Sequence, residues 1–277
     1  MTPLKLLILG AHPDDADISA GGLAAIYAQA GHQVKMISVT NGESGHHVDF
    51  GPKMVERRRQ EAAAAGKVIG AEYVTWDNRD GYLEPTIAVR EQVIREIRTF
   101  APDLVLTHRP NDYHPDHRAV GNVVRDASYM VTVPAVVRDV PFLRIDPVVA
   151  FLPDRFTKPT PLAGDVVIDI GEQVERVVDM LCCHVSQVFE WLPYNMRREA
   201  EIPPDAAGRR AWVRAWYLDR LRPQAHRYRH DLNRIYGPLR GSQVEYCEAY
   251  EISEYAAPLT AEKRQRLFWF LPNWNPS

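Results

Sequence analysis

Several features that would assign a 277-residue chain to a common class of protein are scarce or missing. Its three cysteines, Cys182, Cys183 and Cys247, are too few for a disulfide framework, and without C-x-x-C spacing they argue against a cysteine-based zinc site. No G-x-G-x-x-G or P-loop motif follows the first hydrophobic run, so no motif supports phosphate binding there. No hydrophobic run approaches the roughly 20 residues of a membrane-spanning helix. Because the cysteines indicate neither disulfides nor a zinc site, we expect them to be reduced, buried thiols.

An excess of charge of either sign is also missing. The 33 lysines and arginines nearly balance the 36 aspartates and glutamates, which gives no reason to expect nucleic acid or an acidic membrane surface as a partner. The apolar run over residues 4–9 is too short for a signal peptide, so we expect a cytoplasmic protein. We expect the arginine-rich stretch 209–240 to be a solvated helix face with packed aromatics. A nucleic-acid groove, or a contact to an anionic substituent of the substrate, would have a similar composition.

The first 130 residues alternate between short aliphatic runs and helical patterns. The predicted strands span 4–10, 33–40, 72–76 and 103–108, and the predicted helices span 19–30, 54–70 and 87–100, with another starting near Asp116. Such alternation is typical of right-handed βαβ units. The fold prediction is an α/β protein with a Rossmann-like, mostly parallel sheet and helices on both faces.

The pattern is less regular after residue 130. Further strands are predicted at 148–153, 165–170 and 244–253, and helices at 172–191 and 206–236. Without a repeat or a clear linker, we expect one domain over 1–277, with an α/β core over 1–130 that carries the functional site. Residues 131–277 would form a C-terminal elaboration that shapes the substrate pocket. The aromatic tail, residues 267–274, is expected to dock on this domain or on a neighbouring subunit, which leaves a homo-oligomer possible.

Conspicuous polar loops follow each of the first four predicted strands, and a parallel sheet would bring them to one edge. The first loop contains "HPDD" at 12–15, and the fourth contains "HPDH" at 114–117. If Pro115 begins a helix, His117 lies in its first turn. His12, Asp15 and His117 would then form a two-histidine, one-carboxylate set of the kind that binds catalytic zinc. A hydrophilic loop with locally hydrogen-bonded histidines is the alternative for either motif alone.

These motifs resemble the PIG-L/LmbE superfamily of zinc-dependent N-deacetylases, which act mostly on small molecules that contain N-acetylglucosamine. The resemblance continues in "TNGE" at 40–43, in R-x-x-E at Arg58 and Glu61, and in "DG" at 80–81. It extends to "HVSQ" at 184–187 and "CEAY" at 247–250. Among members of the superfamily, the motif sequences are most similar to those of bacillithiol-biosynthetic and diacetylchitobiose deacetylases.

The resemblance implies specific roles for residues of this chain. It implies zinc, or another divalent metal in the cell, on His12, Asp15 and His117. Asp14 would be the general base, and His114 would stabilise the oxyanion or protonate the leaving amine, oriented by Asp116. Contacts to an N-acetylated sugar or glycoside are expected from three further residues: Arg58, Asp80 and Tyr113.

Two other functions remain possible from the residues alone. Two histidines and a carboxylate also form the facial triad of non-haem Fe(II) oxygenases, although such an enzyme would not need Asp14. A non-catalytic sugar- or nucleotide-binding α/β module is the second alternative, which the missing glycine-rich motifs make less attractive.

Overall fold

A computed structural model describes residues 2–272 of the chain. Its central feature is a seven-stranded sheet in the order β3-β2-β1-β4-β5-β7-β6. The strands are β1 (Lys5–Gly10), β2 (Gln33–Thr40), β3 (Glu72–Asn78), β4 (Leu104–Thr107), β5 (Val148–Phe151), β6 (Val166–Asp169) and β7 (Cys247–Ile252). β1 to β5 pair in parallel, whereas β7 pairs antiparallel with both β5 and β6. The predicted mostly parallel sheet is confirmed.

Helices cover both faces of the sheet. They are α1 (Asp15–Gln29), α2 (Pro52–Ile69), α3 (Ile87–Phe100), α4 (Pro115–Met130), α5 (Val174–Cys183), α6 (Leu192–Met196), α7 (Ala206–Arg227), α8 (Arg229–Tyr236), α9 (Pro238–Gly241) and α10 (Ala261–Leu267). Strand β1 shows why two layers form, because Leu6 and Ile8 pack toward one core while Leu7 and Leu9 pack toward the other. The first core includes residues of α1, α2, α5 and α7, and the second includes residues of α3 and α4.

Two long predicted helices are interrupted in the structure. The predicted helix over 172–191 ends at Cys183 and resumes as a π-helical turn, Gln187–Trp191. The interruption coincides with side-chain bonds at His184 and Ser186, which tie this segment to α1 and α2. The second predicted helix, over 206–236, breaks at Tyr228 into α7 and α8.

The strand order creates a switch point between β1 and β4. From β1 the chain winds to β2 and β3 on one side, and then crosses back to β4 on the other side. Ligands of open α/β sheets bind outside the carboxyl ends of the strands at such a point. The two histidine motifs directly follow β1 and β4, so the fold brings them together there.

The C-terminal segment packs on the body of the protein up to the end of the described residues. The hydroxyl of Tyr27 donates to the carbonyl of Leu267 (2.6 Å), and Trp269 packs edge-to-face against Tyr27 and His32. Asn273 and Trp274, the last two residues of the aromatic tail, lie outside the described residues. Within residues 2–272, no helix is both long and apolar enough to cross a membrane. Cys247 is buried and the other two cysteines are half-buried, all three as free thiols.

Candidate metal centre

Three side-chain atoms from the two histidine motifs form a compact triangle. Nδ1 of His12 lies 3.2 Å from Nε2 of His117 and 3.4 Å from Oδ2 of Asp15. The third side, from Nε2 of His117 to Oδ2 of Asp15, measures 3.5 Å. Ligands that bind zinc tetrahedrally at about 2.0–2.1 Å stand about 3.3 Å apart. The triangle therefore has the dimensions of three ligands around one small divalent cation.

Local backbone structure places these three ligands. In the turn after β1, the N–H groups of Asp14 and Asp15 donate to the carbonyl of His12 (2.9 and 3.2 Å). The N–H of His12 in turn donates to Oδ2 of Asp15 (2.7 Å). A Cβ on Gly10 would stand 2.8 Å from Cβ of Asp15, so a side chain at position 10 would displace this carboxylate. Pro115 begins α4, which puts His117 in the first turn of that helix as predicted.

Carboxylates face the outward nitrogens of both histidines. Nε2 of His12 lies 3.2 Å from Asp80 and 3.4 Å from Asp116, while Nδ1 of His117 lies 3.1 Å from Asp112. These are ion-pair distances without the alignment of full hydrogen bonds. Burial alone would lower the pKa of His12, but the surrounding carboxylates, Asp116 foremost, outweigh it and raise that pKa well above its usual value. Carboxylates behind ligating imidazoles are the usual support of a metal site.

Two predicted site residues make contacts that their motifs did not indicate. Asp80, expected to contact the substrate, is buried and lies against His12, and its Oδ2 also accepts the N–H of Ser44 (3.1 Å). The carboxylate of Asp116, expected to orient His114, instead accepts the N–H groups of Gly81 (2.6 Å) and Leu83 (3.1 Å). The spacing of these motifs identified the loops, but it did not indicate which way each side chain points.

Asp14 stands beside the triangle and is tied to Arg58. Nη2 of Arg58 donates to the carbonyl of Pro13 (3.0 Å) and lies 3.3 Å from Oδ1 of Asp14. The Arg58 side chain is buried, and a Cβ on Gly45 would come within 3.0 Å of its Nη1. Arg58, predicted to contact the substrate, therefore braces the first histidine loop, although it also reaches the cavity described below.

His114 is the N-cap residue of α4, and its Nδ1 accepts the N–H of Asp116 (3.2 Å). Its ring stands edge-on to that of His12, with the ring centres 4.5 Å apart. Burial, together with the charges of His12 and His117, lowers the pKa of His114. With Nδ1 engaged as an acceptor, a neutral His114 carries its proton on Nε2 and can act as a hydrogen-bond donor.

Two further residues belong to the centre: nothing in the sequence indicated Asp112, and for His108 the sequence favoured a cleft-lining or hydrogen-bonding role over that of an extra ligand. Asp112 faces His117, and His108 stacks on the ring of His117 with the ring centres 3.9 Å apart. Nε2 of His108 lies 3.1 Å from the backbone nitrogen of Ala11 and 3.1 Å from Oδ2 of Asp15, so it contacts protein atoms on both sides. The rule that a ligating histidine has an acidic partner would have drawn attention to Asp112, the first aspartate in "NDYHPDH".

Every group of metal-ligand type formed by residues 2–272 overlaps this cluster, so the structure offers one centre. The groups are His12, His114 and His117; Asp15, His108 and His117; and His12, Asp80 and Asp116.

The "HVSQ" segment joins three parts of the wall around this centre. His184 pairs with Asp17 of α1 (3.1 Å), with both side chains fully buried. Ser186 donates its N–H and its hydroxyl to the two carboxylate oxygens of Glu61 (2.9 and 2.6 Å). Gln187 donates to the carbonyl of Gly45 (2.8 Å). This segment therefore fixes α1, α2 and the loop after β2 relative to one another.

A cavity of about 560 Å³ opens over the centre. Its floor includes the triangle together with Asp14 and His114. Aromatic side chains line its walls, which suit the apolar faces of a sugar ring; they are Tyr113, Phe156, Trp191 and Trp216. Tyr113, a predicted substrate contact, is mostly exposed and packs edge-on against His114 and His117.

Comparison with known proteins identifies related sequences. Residues 7–128 match the sequence model of the PIG-L family, described as GlcNAc-PI de-N-acetylase. Over 201 residues the chain is 26% identical to diacetylchitobiose deacetylase of Thermococcus kodakarensis, which covers 69% of this chain and 74% of the relative. Over 206 residues it is 25% identical to 4-oxalmesaconate hydratase of Pseudomonas putida, which covers 70% of this chain and 78% of the relative.

Solved structures of the same two kinds share the fold. The 4-carboxy-2-hydroxymuconate hydratase of Pseudomonas putida superposes with a TM-score of 0.71 at 18% identity, over 90% of this chain and 95% of the other. The N,N'-diacetylchitobiose deacetylase of Pyrococcus horikoshii gives a TM-score of 0.68 at 20% identity, over 92% and 85% of the two chains. At these identities the likeness establishes the fold.

Proposed function

The chain carries a PIG-L family domain, and from this premise we propose that it is a metal-dependent N-deacetylase of small molecules that contain N-acetylglucosamine. The observation that carries the proposal is the triangle of His12, Asp15 and His117, with the carboxylate of Asp14, paired with Arg58, beside it. Relatives that deacetylate diacetylchitobiose, or an inositol acetamido-deoxyglucopyranoside, support the substrate class.

Zinc is the metal that we propose for the triangle, because two imidazoles and a carboxylate at these distances suit its tetrahedral geometry. When bound, such a cation supplies Lewis acidity toward the acetamide carbonyl and a lowered pKa for water. Asp80, Asp112 and Asp116 would hold the imidazole rings in place and, once the metal has displaced a proton, keep the remaining proton of each ring on the nitrogen that faces away from the metal.

Asp14 and His114 would move and hold the proton during amide hydrolysis. Asp14 accepts the proton of the attacking water, and its contact with Arg58 fixes the direction of its carboxylate. His114 donates a hydrogen bond from Nε2 to the carbonyl oxygen as negative charge develops on it. The C–N bond then breaks, and the departing sugar amine takes up the proton that Asp14 accepted from the water. The products are acetate and the free amine.

Hydration of a double bond is the second candidate, and the likeness to 4-oxalmesaconate hydratase favours it. The two functions make the same demands on a metal and a base, because both add water to a polarised substrate. They differ in their products, since a hydratase releases neither acetate nor an amine.

A screen of N-acetylated sugars and glycosides tests the proposal. Metal-analysed, zinc-loaded protein is incubated without oxygen, and acetate and free amine are measured together. We expect the two products in equal amounts from at least one glycoside, and about one metal ion per chain. Absence of both products from every substrate, with zinc, cobalt or nickel supplied, would overturn the proposal. Consumption of an unsaturated acid by the same sample would then favour the hydratase.

A further inference from the structure

One face of helix α7 forms part of the cavity wall. Trp216, Arg220 and Gln224 follow each other at intervals of four residues, and all three line the cavity. The rest of this arginine-rich helix is the solvated face that its composition predicts, with ion pairs to surface carboxylates such as Arg210 with Asp179 and Arg222 with Asp219.

Arg220 differs from the other arginines of α7. Within the part of the chain that the structure describes, each of the other five bonds to a carboxylate or a backbone carbonyl, whereas Arg220 makes no hydrogen bond or ion pair. Its side chain is half-buried. Burial lowers the pKa of Arg220, and repulsion from Arg155 lowers it further. The guanidinium is thus partly removed from water with no carboxylate within ion-pair distance, and Asp15 attracts it only at longer range.

Arg155 is the second cation on this wall. It follows β5 and lines the cavity; although it is exposed, it likewise has no hydrogen bond or ion pair among residues 2–272. The carboxylate beside it is already engaged, because Asp154 accepts two bonds from Arg109 (2.6 and 3.1 Å) and one from the N–H of Phe156 (2.9 Å). Glu248 is near Arg220, but its oxygens accept the N–H groups of Gly22 and Leu23.

Two positive groups therefore share one wall of the cavity, and the nearby carboxylates are used elsewhere. Guanidinium groups without protein partners in a concave site are suited to carboxylate or phosphate oxygens. We propose that Arg155 and Arg220 form an anion-binding subsite, and that the substrate is an N-acetylated amino sugar whose substituent carries a carboxylate or a phosphate. This inference rests on the proposed function for the sugar part, while the anion subsite itself rests on the two arginines.

Three matched ligands test the subsite: the neutral methyl glycoside of N-acetylglucosamine, its carboxymethyl glycoside, and N-acetylglucosamine 1-phosphate. Calorimetric affinity and acetate release are measured with zinc-loaded wild-type protein, Arg155→Gln, Arg220→Gln and the control Arg222→Gln. Arg222 is exposed on the same helix and pairs with Asp219, outside the cavity. Because Arg155 and Arg220 have no protein partners, neither change removes a bond that supports the fold.

We expect one or both anionic ligands to bind more tightly than the methyl glycoside. Each cavity variant should weaken that binding by about tenfold to a hundredfold, as for a hydrogen bond to a charged group. The methyl glycoside should be unaffected, and Arg222→Gln should match the wild type. The better of the two anionic ligands identifies the anion as carboxylate or phosphate.

Two results would overturn the subsite. One is equal affinity for neutral and anionic ligands; the other is an anionic preference that survives both cavity substitutions, which would place the anion on the metal. An arginine-dependent preference for anions without any acetate release would keep the subsite and remove the proposed function. Deacetylation of all three ligands at equal rates and affinities would keep the proposed function and remove the subsite.

Discussion

Asp80 lies 3.2 Å from Nε2 of His12, on the side of the imidazole ring away from the metal-ligand triangle. Nδ1 of the same ring faces Asp15 and His117. A carboxylate in this position keeps the proton of a neutral histidine on Nε2, and so leaves Nδ1 free to bind a cation. We therefore propose that Asp80 positions a metal ligand, in addition to the contact with the substrate that its motif suggests.

Asp80→Asn should weaken metal binding. The amide is not negatively charged and can turn an N–H toward Nε2, so the histidine ring is held less firmly. Loss of such a partner typically costs about 10- to 100-fold in metal affinity. Zinc affinity measured by competition with a chelator should fall by that amount, and activity should return at high zinc concentration. The control is Asp77→Asn near the end of β3, an exposed residue paired with Arg59. Unchanged zinc affinity together with a raised KM would indicate that Asp80 contacts the substrate and does not position the metal.

The adjacent aspartates should separate by role. Asp14→Asn keeps the shape of the side chain but removes its proton acceptor, so zinc content should remain while kcat falls by about 10²- to 10⁴-fold. Asp15→Ala removes a ligand, so both zinc content and activity should fall. Measuring both the zinc content and the kcat of each variant distinguishes the general base from the metal ligand. Loss of zinc from Asp14→Asn would show that the ligand set is wrong.

The sequence predicted the sheet and the meeting of the two histidine motifs, because strand periodicity and the parallel arrangement place both loops at one edge. It did not predict where Arg58 and Asp116 point. Their directions depend on contacts such as the Pro13 carbonyl and the N–H groups of Gly81 and Leu83, which exist only after folding. For the same reason the helical pattern over 172–191 gave no sign of the break after Cys183.

Glu61→Ala should destabilise the protein rather than remove a catalytic group. Its carboxylate accepts both the N–H and the hydroxyl of Ser186, and all of these atoms are buried. Leaving buried donors without a partner costs about 1–3 kcal/mol, which corresponds to a Tm lower by several degrees in a chain of this size. Calorimetry of Glu61→Ala beside Glu56→Ala, an exposed residue of the same helix, measures the difference. Equal Tm values for the two variants would contradict the structural role given to the "HVSQ" segment.

Glu248 should make the stability of the fold depend on pH. Its side chain lies between β7 and α1, where it accepts the N–H groups of Gly22 and Leu23 and the hydroxyl of Tyr250. Burial raises the pKa of Glu248 to about 7, against an ordinary value of 4.5, because these three hydrogen bonds offset only part of the desolvation of the charge. Between these two values the folded chain keeps a proton that the unfolded chain has released.

The sign of the effect follows from that difference in bound protons. The contribution of Glu248 to stability is complete below pH 4.5 and is lost as the pH rises toward about 7. Glu248→Gln has no proton to lose, although it carries a constant cost because its amide cannot accept every bond. We expect the free energy of unfolding of the wild type, measured relative to Glu248→Gln in urea, to decline from pH 5 to pH 7 and then to level off. Glu245→Gln, at an exposed position three residues earlier, controls for the removal of one carboxylate. A wild-type minus Glu248→Gln difference that stays constant across this range would show that Glu248 remains ionised in the folded protein.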